Sequence, residues 1–297
     1  MEETDKKPEM IVFEGMALPP FPPLKQDAKK RLEEIRNLEC RKDDVILVAF
    51  PKSGTHWVWE IVCMLLKNKA EYVKEIKEFS FLESIPDIKA LDDIASPRAL
   101  NTHAPYRWLP KQHLENGGKI IHVVRNPKDI AVSMFFHLGN SKDRPRPTDF
   151  KTFCEMLYMG PVPPYGGWYA FEKEYEQAKE KETLAAIFTV HYESIKKNPI
   201  QEIKRLAKYL DVDVKDDVVA EIADKCSFRK LKEADATLKD YSVMTKVNPK
   251  AKEALSKMYR KGEIGDWKNH FTVAMNERFD ARFKEEMKDS KIEVQFE

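Results

Sequence analysis

An early loop of small side chains and one cation has the residue types of an anion site. Short side chains let backbone N–H groups converge on phosphate oxygens at a helix N-terminus, where the dipole adds favourable partial charge. The nucleotide-binding Walker pattern ends instead on a second glycine followed by Lys-Ser or Lys-Thr. We therefore predict a relative of the nucleotide P-loops with a different ligand arrangement. The loop reads Phe50-Pro51-Lys52-Ser53-Gly54-Thr55-His56-Trp57.

Three further groups have suitable chemistry for such a site. The imidazole of His103 titrates near neutral pH and suits proton removal from a hydroxyl, although a lone histidine after a strand is more often structural. Arg125 ends an apolar run, and Ser133 lies eight residues on, near the same face of the following helix. A guanidinium binds phosphate through paired hydrogen bonds, and a hydroxyl adds another. A late Arg260-Lys261 pair is, by itself, more typical of a solvated surface.

The loop, the segment from Arg125 to Ser133 and the late Arg260-Lys261-Gly262 together resemble the cytosolic sulfotransferases, in that family's order. The resemblance spans about residues 20–290. It implies transfer of a sulfuryl group from 3′-phosphoadenosine-5′-phosphosulfate (PAPS) to a hydroxyl or amine of a small molecule, with no metal. The product of the donor would be adenosine 3′,5′-bisphosphate (PAP).

The resemblance also implies roles for individual residues. Lys52 would stabilise the departing phosphate, and His103 would act as the general base. Asn101 stands where the family commonly has a lysine, and His56 where many members have threonine. The implied cofactor-binding set is Lys52, Ser53, Gly54, Thr55, His56 and Trp57 in the loop, Arg125, Ser133, Arg260, Lys261 and Gly262 at the 3′-phosphate, and Trp57, Tyr192, Phe228 and Ser227 or Cys226 around the adenine.

A segment near the C-terminus resembles the family's dimerisation motif. A small apolar centre flanked by opposite charges can pair with itself about a two-fold axis. We therefore expect a homodimer, with an ordinary exposed helix start as the alternative. The residues concerned are Lys268, Thr272, Val273 and Glu277.

The acceptor is the part of the reaction that the sequence specifies least. Aromatic side chains suit an apolar acceptor pocket, but a phenylalanine is more often simply part of the core. We expect a small, largely apolar phenol, alcohol, steroid or amine. The candidates for its pocket are Phe21, Phe79, Phe81, Phe136 and Tyr165.

Strand and helix patterns alternate along the chain, which predicts a single α/β domain with a mostly parallel sheet flanked by helices. Ligands on such sheets bind beyond the carboxyl ends of the strands, where Lys52, His103, Arg125 and Tyr192 all fall. The N-terminal stretch to Pro23 reads as irregular, and residues 143–148 read as a surface loop. The predicted strands are Val45–Phe50, Arg98–Thr102, Lys119–Arg125 and Leu184–Tyr192, and the predicted helices are Lys25–Arg36, Trp57–Lys67, Pro127–Phe136, Trp168–Lys181, Pro199–Leu210, Lys215–Lys225 and Ala274–Lys288.

The composition excludes several other classes of protein. Charged residues make up 34% of the 297, yet the formal net charge is only +1, so no overall field attracts nucleic acid or an anionic membrane. We expect a cytosolic protein whose four scattered cysteines are reduced and mostly buried. A P-loop kinase, a non-catalytic nucleotide-binding protein and a dehydratase that works through a transient sulfate ester remain as alternatives.

Overall fold

A four-stranded parallel sheet forms the centre of the molecule. The computed structural model describes residues 11–139, 149–181, 184–242 and 259–297. The strands are β1 (Ile11–Phe13), β2 (Met16–Leu18), β3 (Val45–Ala49), β4 (Ala99–Thr102), β5 (Lys119–Val124) and β6 (Ala186–His191). The sheet has the order β4-β3-β5-β6, and each neighbouring pair is parallel. The predicted α/β fold is thereby confirmed.

Helices cover the sheet. The seven predicted helical segments are all present, with ends that differ from prediction by no more than three residues. Short 3-10 turns occupy Lys77–Ser80, Ile88–Asp93, Tyr106–Trp108 and Asp266–Asn269. The helices are α1 (Pro22–Arg36), α2 (Thr55–Leu66), α3 (Lys111–Glu115), α4 (Pro127–Gly139), α5 (Phe150–Met159), α6 (Trp168–Glu180), α7 (Tyr192–Lys197), α8 (Pro199–Leu210), α9 (Asp216–Lys225), α10 (Phe228–Thr237) and α11 (Val273–Glu286).

The two faces of the sheet are buried in separate cores. In β3, Ile46 and Val48 pack into one core and Val45 and Leu47 into the other, as the two-residue period of a strand requires. Helix α2 packs into the second core, whereas α4 and α6 pack into the first. Every residue of β3 is buried, which explains its continuous apolar sequence.

The N-terminal segment differs from the prediction. From residue 11 onward it is not irregular, because β1 and β2 form an antiparallel hairpin in which Ile11 pairs with Leu18. Glu14 and Gly15 form its turn, both with positive φ. The short strands and the prolines that follow them obscured this hairpin in the sequence. The predicted loop at 143–148 lies outside the described residues.

The remaining observations concern the thiols and the length of the helices. All four cysteines are free, with Cys63, Cys154 and Cys226 buried and Cys40 partly buried, as predicted. Within the described ranges, none of the helices combines the length and the apolar character that crossing a bilayer requires.

Candidate active site

Three contacts join the carboxyl ends of all four strands of the sheet. The Nδ1 atom of His103, after β4, lies 2.7 Å from the carbonyl oxygen of Ala49 at the end of β3. Arg125, after β5, donates from Nη1 to the carbonyl of Lys52 at 2.8 Å. The same guanidinium lies 4.1 Å from the ring centre of Tyr192, which follows β6. The predicted convergence of these four residues is therefore seen directly.

The backbone of the loop after β3 has an unusual conformation. Lys52 has a φ of +70° and Gly54 a φ of +96°. A non-glycine residue in the left-handed region is uncommon and concentrates at functional sites. Gly54 is required for a second reason, because a Cβ there would lie 2.6 Å from Cδ2 of Tyr192.

Helix α2 begins directly after this loop, at Thr55, with Gly54 at the preceding cap position. The first N–H groups of any helix lack an intrahelical acceptor, so this end can bind an anion. The prediction that Ser53 also points its N–H at a ligand differs from the structure, since that group donates to the carbonyl of Phe50 at 3.2 Å. The turn itself uses this donor.

Four buried polar atoms around the loop have no hydrogen-bond partner among the described residues. A buried polar atom without a partner costs about 1–3 kcal/mol, so a cluster of them indicates a place where a polar ligand completes the network. A phosphate-bearing nucleotide, with many acceptor oxygens and an aromatic base, fits this cluster. The atoms are Oγ of Ser53, Nδ1 of His56, Nε1 of Trp57 and Nε of Arg125.

His103 has the geometry of a general base. A carbonyl oxygen can only accept, so Nδ1 donates to Ala49 and the lone pair of a neutral imidazole lies on Nε2. The pKa of His103 is lowered to about 3, chiefly by burial and also by the charges of Lys77 and Lys52, which together outweigh the opposite effect of the bond to Ala49. The ring is therefore neutral at physiological pH. Its backbone N–H donates to Oε1 of Glu83 at 2.6 Å.

Aromatic rings lie against this imidazole. The ring centres of Phe81 and Tyr165 are 5.0 and 5.8 Å from that of His103, and Phe21 packs on Phe81 at 5.5 Å. Two of the predicted pocket residues thus contact the ring of His103, and a third packs on one of them. Phe136 belongs elsewhere, because its ring lies 5.2 Å below the guanidinium of Arg260.

Asp129 lies between Arg125 and Ser133, the first part of the predicted phosphate clamp. It contacts the segment that directly follows Arg260–Gly262, the second part. Its buried carboxylate accepts from the backbone N–H groups of Gly265 at 2.8 Å and Trp267 at 2.9 Å. Burial raises the pKa of Asp129, while those two bonds and the charge of Arg125 oppose the shift. The carboxylate thereby ties the start of α4 to the late turn near Arg260.

Asp266 holds the cations of the late Arg-Lys pair. Its two oxygens lie 2.6 Å from Nη1 of Arg260 and 2.7 Å from Nζ of Lys261. Burial alone raises the pKa of this carboxyl, but the bonds from Lys261, Asn269 and Arg260 outweigh it and leave the pKa well below its ordinary value. The pair is thus held in place before any phosphate is bound, whereas the sequence also allowed loose surface cations.

Gly262 packs against Phe228, in a group of aromatic residues that also contacts His56 of the loop. A Cβ on Gly262 would lie 2.2 Å from Cδ2 of Phe228, and Tyr259 lies 6.0 Å from the same ring. His56 contacts Tyr259 at 5.6 Å. Trp57 instead packs on Tyr192 at 5.1 Å. The aromatics predicted to surround an adenine therefore belong to two groups, one on each flank of the loop.

The other predicted site residues have distinct environments. Ser133 is partly exposed on α4, two turns from its start. Ser227 is exposed at the cap position of α10, whereas Cys226 is buried beside Met64 in the second core. Of the two alternatives for the adenine hydroxyl contact, only Ser227 remains on the surface.

The predicted dimerisation segment is exposed. Thr272 caps α11 by accepting from the N–H of Met275, and Val273 has 76% of its surface accessible. Glu277 is exposed, while Lys268 forms an ion pair with Glu297 of the same chain at 2.8 Å. An exposed valine suits a self-contact, but the geometry equally suits a plain helix start.

The comparison with known proteins identifies the family. The family model of the sulfotransferase domain matches residues 42–291. The chain belongs to the sulfotransferase family. Among curated relatives, this sulfotransferase is 34% identical to sulfotransferase 1E1 of Bos taurus over 89% of this chain and 91% of that protein. It is 35% identical to sulfotransferase 1B1 of Canis lupus familiaris over 89% and 90% of the two chains.

Solved structures share the fold of this sulfotransferase. Mouse sulfotransferase SULT7A1, solved in complex with PAP, has a TM-score of 0.75 and 29% identity, with 95% of each chain covered. Retinol dehydratase, solved with retinol and PAP, has a TM-score of 0.70 over 90% of this chain and 87% of that one. At 20% sequence identity, this likeness shows only that the two chains share a fold.

Several residues of this sulfotransferase site gave no signal in the sequence. Lys77 and Glu83 lie beside His103 but belong to an irregular segment between β3 and β4, where no periodic pattern marks a buried charge. Asp235 accepts from His56 at 3.2 Å and from the hydroxyl of Tyr241 at 2.7 Å. Such pairs are joined by packing across long sequence separations, which a single sequence does not reveal.

Proposed function

We propose that this protein transfers the sulfuryl group of PAPS to a hydroxyl or amine of a small, largely apolar acceptor by in-line displacement. The supporting observation is the set of contacts that brings Lys52, His103, Arg125 and Tyr192 to one edge of the sheet. Membership of the sulfotransferase family supplies the class of reaction. The solved PAP complex of the mouse relative supports the choice of donor.

Lys52 has the charge and the place to assist the departing phosphate. PAPS supplies a sulfuryl group whose transfer, like that of a phosphoryl group, leaves negative charge on the bridging oxygen. Lys52 lies in the loop between β3 and the start of α2, where the helix dipole also favours that negative charge. Loss of one preorganised donor of this kind costs about 3 kcal/mol in barrier height.

His103 has the tautomer that a base requires. Because Nδ1 donates to Ala49, Nε2 is left to accept the proton of an acceptor hydroxyl. The neighbouring rings of Phe81 and Tyr165 form an apolar wall against which a small acceptor can lie. The wall favours a flat or hydrophobic acceptor over a charged one.

The rest of the nucleotide would be held by the groups on either flank of the loop. Arg125 and Ser133 from one segment and Arg260, Lys261 and Gly262 from the other suit the 3′-phosphate. The orphaned atoms of Ser53, Trp57 and Arg125 fit a ligand rich in acceptor oxygens. Burial raises the pKa of Tyr192, while the charges of Arg125 and Arg260 both lower it, which supports a clamp formed by the two segments.

A cytosolic homodimer completes the proposal. The exposed Val273 and the flanking Lys268 and Glu277 are the surface through which two copies would pair. Sedimentation velocity of the wild type and of Val273→Glu tests this. A wild type that sediments as a monomer at micromolar concentration would contradict the dimer.

Incubation with PAPS and a panel of phenols, alcohols, steroids and amines tests the activity, with sulfated products scored by mass. We expect product with wild type, and its loss in Lys52→Met and His103→Ala while both variants remain folded. Lys67→Met, at the exposed end of α2, is the matched lysine control and should retain full activity. Full activity of His103→Ala on several acceptors would disprove the base assignment. A protein with no measurable affinity for PAP by calorimetry would disprove the function.

A further inference from the structure

A lysine is buried beside the proposed base without any role in the site described so far. Lys77 is only 5% exposed, and its ammonium donates to Oδ1 of Asn101 at 2.8 Å. In return, Nδ2 of Asn101 donates to the carbonyl of Lys77 and to Oγ of Ser80, at 3.2 and 2.9 Å. Burying a lysine is costly, and burial lowers the pKa of Lys77. Oε1 of Glu78 lies 4.0 Å from the ammonium and compensates its charge in part. A buried cation held in place by a fixed amide still calls for an explanation beyond stability.

This cation lies close to His103. The ammonium is 4.2 Å from the ring centre of Phe81, and that ring centre is 5.0 Å from the imidazole. Both distances are measured to the ring centre of Phe81, so the Lys77 ammonium and the centre of the imidazole are at most about 9 Å apart. Charges at that separation in a buried site still interact appreciably.

Resting on the function proposed above, we propose that Lys77, held by Asn101, is a positioning residue that keeps the imidazole of His103 unprotonated while the anionic donor is bound. A bound donor brings several negative charges to the site and so favours protonation of a nearby imidazole. A protonated imidazole has no lone pair with which to accept the acceptor's proton. The ammonium of Lys77 opposes that effect.

The other groups that face His103 do not replace this cation. Lys52 acts in the same direction but is engaged at the departing phosphate in the proposed reaction. Burial raises the pKa of Glu83 to about 7, so its carboxyl is only partly charged near neutral pH and cancels Lys77 only in part. Tyr165 contributes an aromatic ring, 5.8 Å away.

The arrangement also explains the amide at position 101. The resemblance predicts a lysine there, on β4 itself, and the chain has Asn101 instead. Here the cation comes from the 3-10 turn Lys77–Ser80, and the amide binds its ammonium with one end and its backbone carbonyl with the other. The positive charge is therefore retained beside the base, although it belongs to a different element of the fold.

The test is the pH dependence of kcat at saturating PAPS, from pH 8 down to about pH 4, for wild type and two variants, because the pKa of His103 is about 3 without donor and the charges of the bound donor raise it. Lys77→Met removes the ammonium, and Lys77→Gln keeps a hydrogen-bond donor for Asn101 while removing the charge. We expect the acid limb of the profile to move to higher pH by about one unit in both variants. At the alkaline plateau, kcat should stay within about three-fold of wild type, because the neutral base is restored there.

Two further variants complete the design. Lys77→Met combined with Asn101→Lys moves the cation to β4 and should return the acid limb to its wild-type position. Lys74→Met, an exposed lysine in the same segment, should leave the profile unchanged. Thermal melts establish that each variant is folded.

The possible results separate the two proposals. If wild type forms sulfated product but the acid limb of the folded Lys77→Gln variant stays within about 0.3 unit of wild type, the role of Lys77 is disproved and the proposed function stands. A loss of plateau kcat with an unmoved acid limb also disproves it, since that result indicates a structural role. If wild type forms no product from PAPS, both proposals are wrong.

Discussion

Replacing Gly54 with alanine should displace Tyr192 and thereby damage nucleotide binding. The added Cβ would lie 2.6 Å from Cδ2 of that ring, far inside an ordinary contact. The ring cannot move alone, because the guanidinium of Arg125 lies 4.1 Å from its centre and the indole of Trp57 lies 5.1 Å away. Each of those two groups carries a nitrogen atom that lacks a hydrogen-bond partner within the described part of the chain, and we assign both atoms to the nucleotide.

Two physical terms determine the size of the effect. An L-residue at the φ of +96° observed for Gly54 is strained by about 1–2 kcal/mol. Overpacking against a fixed neighbour adds about 1–3 kcal/mol. If the displacement of Arg125 and Trp57 lowers the binding free energy of PAP by about 2 kcal/mol of this total, the affinity for PAP falls about 30-fold. The remainder lowers the midpoint of thermal unfolding by a few degrees.

Isothermal titration with PAP measures the affinity, and scanning calorimetry measures the midpoint. Gly15→Ala is the matched control, because Gly15 has a similar φ of +73° but no atom of the described residues within 4 Å of the added Cβ. It carries the strain without the clash and should bind PAP normally. In the double variant with Tyr192→Leu, the two losses should not add, since the clash partner is already gone. Wild-type affinity for PAP in Gly54→Ala would refute the reasoning.

Three other substitutions test separate parts of the site. Arg125→Lys loses both the planar stack on Tyr192 and the fork geometry, so PAP affinity by calorimetry should fall about 10- to 100-fold, whereas an unchanged affinity contradicts the clamp. Burial raises the pKa of Glu83 from 4.5 to about 7, so its stabilising effect is complete below pH 4.5 and is lost as the pH rises through 7. Relative to wild type, Glu83→Gln should therefore gain up to about 3 kcal/mol in unfolding free energy between pH 4.5 and 8 in urea titrations, and equal pH slopes would refute this. Asp266→Asn leaves Arg260 without its carboxylate and should cost about 1–3 kcal/mol at pH 7 in the same assay, a loss that unchanged unfolding would exclude.

The sequence was a good guide wherever one strand or helix carries the whole signal. Buried strands of valine and isoleucine predicted the parallel sheet, and the polar residues that follow them predicted which edge of the sheet carries the candidate site. Because the carboxyl ends of parallel strands meet at one edge, Lys52, His103, Arg125 and Tyr192 had to come together. The N-terminal hairpin escaped prediction because strands of three residues, Ile11–Phe13 and Met16–Leu18, are too short to show a period.

The chain alone therefore determined the sheet, the loop and the identity of the residues at the strand ends, because these depend on local pattern and on the alignment of parallel strands. Only the tertiary structure decided which distant side chains complete the site. Lys77 meets Asn101 across 24 residues, and Asp129 meets Gly265 across 136. Those contacts depend on how irregular segments pack in the folded chain. Such packing leaves no periodic pattern in the sequence.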